Sequence, residues 1–155
     1  MMSSKDNKGT QPEKVAKSFD ENILELSSAS DGLACLLGSK CRNCGRHWFP
    51  QHVACLNCSS DVMDRVALSR RGKLYCFTIV EWPGLKPPNY PIFPYAYGYV
   101  DLTEGARVLA ALRGCELDSL KIDMEMELAT GKVGEDGSGN DVTGYWFEPV
   151  KKQRG

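Results

Sequence analysis

Residues 41–58, C-R-N-C-G-R-H-W-F-P-Q-H-V-A-C-L-N-C, hold four of the chain's seven cysteines as two Cys-x-x-Cys pairs separated by ten residues. Two thiolates so spaced on a tight turn can both face one ion, and a second turn returned by a short hairpin completes a tetrahedral shell. The spacing therefore predicts a four-cysteine zinc ribbon with Cys41, Cys44, Cys55 and Cys58 as ligands. Four sulfurs close the shell and leave no position for water or substrate, so the expected Zn2+ is structural. Gly45 follows the first pair, where a metal knuckle needs a positive φ that glycine adopts at little cost. The two histidines, His47 and His52, lie inside the same stretch. Either can replace a cysteine in principle, but four spaced thiolates suffice without them. Lys40, Arg42 and Arg46 flank the first pair, either easing the excess negative charge of a thiolate shell or forming a solvated basic face. Trp48 and Phe49 are expected to pack the ribbon onto the downstream domain.

Outside this stretch the composition is that of an ordinary globular domain: 155 residues, 42% hydrophobic, 25% charged, net charge −1. That balance argues against a basic nucleic-acid binder. The N-terminal sequence has no apolar signal core and no run reaches membrane-span length, so a cytoplasmic protein with reduced thiols is expected.

Downstream of Cys58 the chain reads as β-structure. Segments 62–68, 72–82, 95–102, 107–113, 122–128 and 142–148 alternate with glycine- or proline-bearing turns, which predicts a small barrel of five to six strands. Ile122, Met124, Met126 and Leu128 are expected inward, with Asp123, Glu125 and Glu127 outward. Segment 74–80 shows no such alternation and implies cover on both faces. Residues 135–141, E-D-G-S-G-N-D, read as a hairpin tip. Upstream, Val15, Phe19, Ile23 and Leu26 recur at helical spacing and predict an amphipathic helix from Pro12 to about Ser27, packed on its own domain or docked on another subunit. Cys35 reads as a small buried apolar residue. The expected organisation is a flexible tail (1–11), an N-terminal helix and linker (12–32), the ribbon (33–61), the barrel (62–150) and a short tail (151–155).

Between two of the strands, residues 82–94 (W-P-G-L-K-P-P-N-Y-P-I-F-P) interleave five prolines with large apolar side chains. A stiff loop loses little entropy on docking, so Trp82, Tyr90, Ile92 and Phe93 are candidate partner anchors; the alternative is a loop folded back over its own barrel. Arg70, Arg71 and Lys73 at the preceding turn, with Lys86 in the loop, are candidate receivers of phosphate groups.

Together the motifs C-R-N-C-G-R-H-W-F-P, C-L-N-C-S, G-K-L-Y-C-F-T-I-V, P-Y-A-Y-G-Y-V-D-L-T-E-G-A-R-V-L-A and L-K-I-D-M-E-M-E-L resemble the rubredoxin-like zinc ribbon plus OB-fold proteins associated with acyl-CoA metabolism, over about residues 33–149. The resemblance implies a small non-catalytic subunit in a hetero-oligomer with a thiolase-like catalytic subunit, one acting on an aromatic acyl-CoA such as benzoylsuccinyl-CoA being the first choice. It also implies that CoA or acyl-CoA is held at the subunit interface, with Arg70, Arg71, Lys73 and Lys86 toward its phosphates. Gln51 and His52 depart from the proline-arginine-like pair usual there, and Asp123 stands where glycine is common.

The same residues support three other readings. The partner is instead a hotdog-fold acyl-CoA hydratase; or Tyr95, Tyr97 and Tyr99, on one side of a strand, stack the bases of a single-stranded nucleic acid; or the four-sulfur shell holds iron for electron transfer. No serine-histidine-acid constellation is recognisable; Cys76 is expected to be buried in a strand, and Cys115, at a turn after Gly114, has no companion histidine.

Overall fold

A computed structural model describes residues 16–26, 33–81 and 94–151. Their strands are β1 (Lys17–Ser18), β2 (Leu24–Glu25), β3 (Cys35–Cys41), β4 (His47–Trp48), β5 (Met63–Ala67), β6 (Arg71–Val80), β7 (Tyr95–Leu102), β8 (Arg107–Leu112), β9 (Glu125–Glu135) and β10 (Asp141–Pro149). A 3-10 turn, Leu117–Ser119, lies between β8 and β9. No helix among the described residues is long and apolar enough to cross a membrane.

Strands β6 to β10 close on themselves in the order β10-β8-β7-β6-β9, with β9 paired back to β10. All these pairings are antiparallel except that of β8 with β10, which meet in parallel at Phe147 and Leu112. This is the five-stranded Greek-key barrel of an OB-fold. Its interior is filled by alternate residues: Ala96, Val100 and Leu102 of β7, Val108 and Leu112 of β8, Met126 and Leu128 of β9, and Phe147 of β10, all buried. Gly98 shares that inward row; a Cβ there would stand 2.7 Å from the Cys76 carbonyl and 2.9 Å from the Leu74 and Leu112 side chains. The ribbon is a second sheet in which β3 pairs with β2, β4 and β5. Segment 62–68 thus belongs to the ribbon, and the barrel has five strands.

The lack of alternation along 74–80 has a local cause. The β6–β7 register slips between Leu74 and Cys76, leaving Tyr75 as the extra residue of a bulge. Parity reverses across it, so Leu74 faces the core before the bulge and Phe77 and Ile79 face it afterwards. Val80 packs on the outer side with Tyr95 and Tyr97.

The helix predicted from Pro12 to Ser27 is absent from its described part, residues 16–26. Ser18 Oγ donates to the Asp20 carbonyl at 2.9 Å and the Asn22 N–H donates to Asp20 Oδ1 at 2.8 Å, so short polar side chains close a turn where a helix would run. On either side, Lys17 and Ser18 pair in parallel with Val142 and Thr143, while Leu24 and Glu25 pair antiparallel with Leu36 and Cys35. Tertiary pairing outweighs helical periodicity, and the apolar residues still serve: Leu24 is fully buried, and Ile23 and Leu26 join the core. The segment is a strap from barrel to ribbon. Ile122 also departs from expectation, being 62% exposed where an inward position was predicted. Asp123 adopts φ +64 in a turn and β9 starts only at Glu125, so the inward pattern begins later.

Candidate metal centre and the cleft beside it

Each cysteine pair sits on a knuckle of the same construction. In the first, Gly45 N–H donates to the Cys41 carbonyl at 2.9 Å; in the second, Ser59 N–H donates to the Cys55 carbonyl at 2.9 Å. The residue after each pair takes a left-handed conformation, Gly45 at φ +75 and Ser59 at φ +59. Strand β3 delivers Cys41, and its pairing with β4 and β5 brings the knuckles face to face.

The ligand atoms of Cys41, Cys44, Cys55 and Cys58 all lie within 4.8 Å of one another. The Cys41 and Cys58 sulfurs are 3.6 Å apart, and those of Cys44 and Cys55 are 3.5 Å apart. Sulfurs bound at about 2.3 Å in a tetrahedron lie about 3.8 Å apart, so the four fit one zinc ion. The surroundings favour thiolates. Burial opposes ionisation of Cys55, but the backbone N–H groups of Cys58 and Asn57 outweigh it and bring this thiol down to about 6. Trp48 Nε1 is buried with no other hydrogen-bond partner among the described residues, and it too favours a negative Cys55 sulfur. The Asn43 amide, 3.4 Å from the Cys58 sulfur, lowers that thiol. Cys44 lies above its usual value: the Arg46 N–H favours its thiolate, but burial and the neighbouring sulfurs oppose it. Of the cations near the first pair, Arg42 is engaged elsewhere, gripping Asp64 with Nε 2.8 Å from both carboxylate oxygens. Cys35 is buried on β3 outside the sulfur cluster.

Phe49 packs on the barrel core and meets the Tyr145 ring edge-on at 6.3 Å. Beside this contact a cleft of about 520 Å³ separates the two units, with Trp48, His52 and Leu56 of the ribbon facing Tyr99, Glu104 and Arg107 of the barrel. His47 and Arg46 also line it. Both histidines therefore border the cleft, and neither belongs to the sulfur cluster. Sequence reasoning passed over the cleft, although Leu56, an apolar residue between two ligands, and Leu109, apolar at an outward position of β8, were its available signals.

Arg70, expected at a phosphate, instead bridges the two units, its guanidinium donating to the Ala34 carbonyl and, at 2.7 Å, to the Leu128 carbonyl. Arg71 is exposed and 3.6 Å from Glu127. Arg71 and Lys73 border a separate cavity of about 550 Å³ that also carries Asp101, Asp123 and Glu125. Trp82, Lys86, Tyr90, Ile92 and Phe93 lie outside the described residues. Of the three tyrosines of β7, Tyr95 is buried edge-on to Tyr97 at 5.7 Å, and only Tyr99 presents an exposed ring.

Ribbon, sulfur cluster and closed barrel together define a rubredoxin-like zinc ribbon joined to an OB-fold. The sequence matches the family descriptions "ChsH2, rubredoxin-like zinc ribbon domain" over residues 36–64 and "ChsH2, C-terminal OB-fold domain" over residues 65–131. The chain belongs to the ChsH2 family. It is 34% identical over 153 residues, 97% of this chain and 100% of the relative, to a Thauera aromatica protein described as benzoylsuccinyl-CoA thiolase subunit BbsA. It is 31% identical over 120 residues, 76% of this chain and 83% of the relative, to a DUF35 domain-containing scaffold protein of Methanocaldococcus jannaschii. Among solved structures, a chain of an Ltp2-ChsH2(DUF35) aldolase superposes with TM-score 0.62 at 26% identity, over 76% of this chain and 86% of that one.

Proposed function

We propose that this chain is a zinc-binding accessory subunit of an acyl-CoA thiolase complex, in which the partner carries the catalytic residues. The observation that carries the reading is the similarity, over 97% of the chain, to a protein described as a thiolase subunit. The site chemistry agrees with it: Cys41, Cys44, Cys55 and Cys58 would hold Zn2+ in a closed shell, which fixes shape and offers no open coordination position for a reaction. The metal's contribution is rigidity, because folding free energy of so small a hairpin comes largely from binding the ion.

Acyl-CoA is held, in this reading, at the interface with the partner. Arg70 is engaged with two carbonyls, so contacts to the CoA phosphates fall to Arg71, Lys73 and Lys86, while Trp82, Tyr90, Ile92 and Phe93 anchor the partner. The three carboxylates that share the cavity of Arg71 and Lys73 repel an unaccompanied anion, which is why the partner must supply further positive charge.

The test is co-expression with the thiolase-like subunit, followed by CoA-dependent thiolysis of an aromatic 3-oxoacyl-CoA. Full activity is expected only from the complex. A chain that cleaves the substrate alone overturns the accessory reading. A second reading, partnership with an acyl-CoA hydratase, draws on 30% identity over 95 residues to a probable enoyl-CoA hydratase alpha subunit of Thermomonospora curvata, of which that match spans 28%. Hydration of an enoyl-CoA by the co-expressed hydratase, dependent on this chain, would favour it.

A further inference from the structure

The barrel carries an apolar strip on its outside that its own core does not use. Tyr99 of β7 and Leu109 of β8 are direct cross-strand partners, and they are 40% and 48% exposed. Next to them Tyr75, pushed out by the β6 bulge, is 50% exposed and carries the Arg107 guanidinium over its ring at 3.5 Å. A bulge that turns an aromatic ring outward is a device for re-aiming a side chain, and here it widens an apolar surface that burial would favour covering.

The strip runs without a break into the cleft between barrel and ribbon, because Tyr99 lines both. On the far wall stands Leu56, 66% exposed on the second metal knuckle. A residue between Cys55 and Cys58 is fixed in position by the same fold that gathers the sulfurs, so Leu56 is an anchor held rigid before any encounter. Rigid apolar and aromatic groups at the centre of a polar rim are the pattern of an interaction hot spot.

The rim is basic. Arg46 and Arg107 carry positive charge at the cleft, with His47 and His52 beside them. Asp101 offsets Arg107, which it holds through two contacts of 2.6 and 2.8 Å. Among the described residues, the carboxylate that lines the cleft is Glu104, and one of its oxygens is tied to the Ser69 N–H at 2.7 Å. Arg46 is therefore the cleft cation best placed to meet an opposing charge.

We propose that this surface, Leu56 across the cleft to Tyr99 and Leu109, is where the catalytic subunit docks, inserting an apolar side chain with one acidic residue beside it to meet Arg46. The inference rests on the accessory-subunit reading and adds to it a place and a chemistry: the metal knuckle is itself part of the contact, and an acidic group of the partner meets Arg46. The apolar core supplies the affinity, and Arg46 steers the encounter, so association slows as salt is raised.

The test is association of the full zinc-loaded chain with its co-expressed thiolase-like subunit, measured by analytical ultracentrifugation and by the salt dependence of the association rate. Leu56→Asp and Tyr99→Asp should each weaken the complex by at least about 30-fold. Arg46→Glu should slow association and flatten its salt dependence. Ile122→Asp, at another exposed apolar position, should leave assembly unchanged. Zinc content and circular dichroism report whether each variant is folded, and Leu109→Asp replaces any that is not. If the wild-type chain does not assemble, the accessory reading falls and this inference with it. If the wild-type assembles and the folded Leu56 and Tyr99 variants assemble equally well, the accessory reading stands and the docking surface is wrong.

Discussion

At the scale of single residues, two backbone positions among the described residues adopt a conformation their side chains oppose. Ser59 and Asp123 sit at φ +59 and φ +64, where a Cβ crowds the following carbonyl. Replacing either with glycine relieves that crowding but adds freedom to the unfolded chain. The balance is expected to favour Ser59→Gly and Asp123→Gly by about 0.5–1 kcal/mol each, read as a higher denaturant midpoint. Gly45 already has the favoured residue at the equivalent place in the first knuckle, and this was legible because glycine after a cysteine pair has one strong reason to be there. Asp123 was legible only as a departure from the family habit; the turn explains both the habit and its cost. The metal ligands were the most legible residues of all, since their spacing encodes a geometry by itself. Cys41→Ser removes one of four sulfurs gathered where one ion fits, and the expected outcome is loss of zinc by atomic absorption together with a lower Tm.

At the scale of elements, the barrel strands were readable and their facing was not always so. Alternation places Met126 and Leu128 correctly, and it fails at β6 because an inserted Tyr75 reverses the parity that a run of apolar residues cannot disclose. The N-terminal segment misleads in another way. Phe19, Ile23 and Leu26 have helical spacing, but Ser18 and Asp20 close a local turn. The flanking residues then find strand partners far beyond one helical turn, Cys35 for Glu25 and Val142 for Lys17, which local periodicity cannot reveal. Close approach between strands tests the element scale directly. Gly98 lets β7 lie against the bulged region of β6, and Gly98→Ala would drive a methyl group into the Cys76 carbonyl and two leucines. A loss of about 1–3 kcal/mol is expected by chemical denaturation, with hydrogen exchange of β6 and β7 amides accelerated first.

At the scale of the whole molecule, ribbon and barrel are held as one body by a few polar rivets around an apolar seam. The strap of residues 17–25 hydrogen-bonds to both units, Phe49 and Leu36 enter the barrel core, and Arg70 ties the Ala34 carbonyl to the Leu128 carbonyl. None of this was legible from composition, where Arg70 read as a charge at a turn. Arg70→Ala leaves two carbonyls without their charged donor and is expected to cost about 2–3 kcal/mol, with the ribbon amides of β3 exchanging faster while zinc stays bound. Arg70→Lys can reach at most one of the two carbonyls in the same way and should recover only part of the loss.

The parallel seam between β8 and β10 closes the barrel with its last strand. The ribbon sheet of β3, β4 and β5 uses residues 35–67 alone, whereas the barrel ring stays open until Phe147 reaches Leu112 and Arg113 N–H finds the Phe147 carbonyl at 3.0 Å. During synthesis the cysteine knuckles are polymerised about ninety residues before Phe147, a lead on the order of several seconds at cellular translation rates. All four cysteines are thus in the chain, able to gather an ion, before the barrel ring can close.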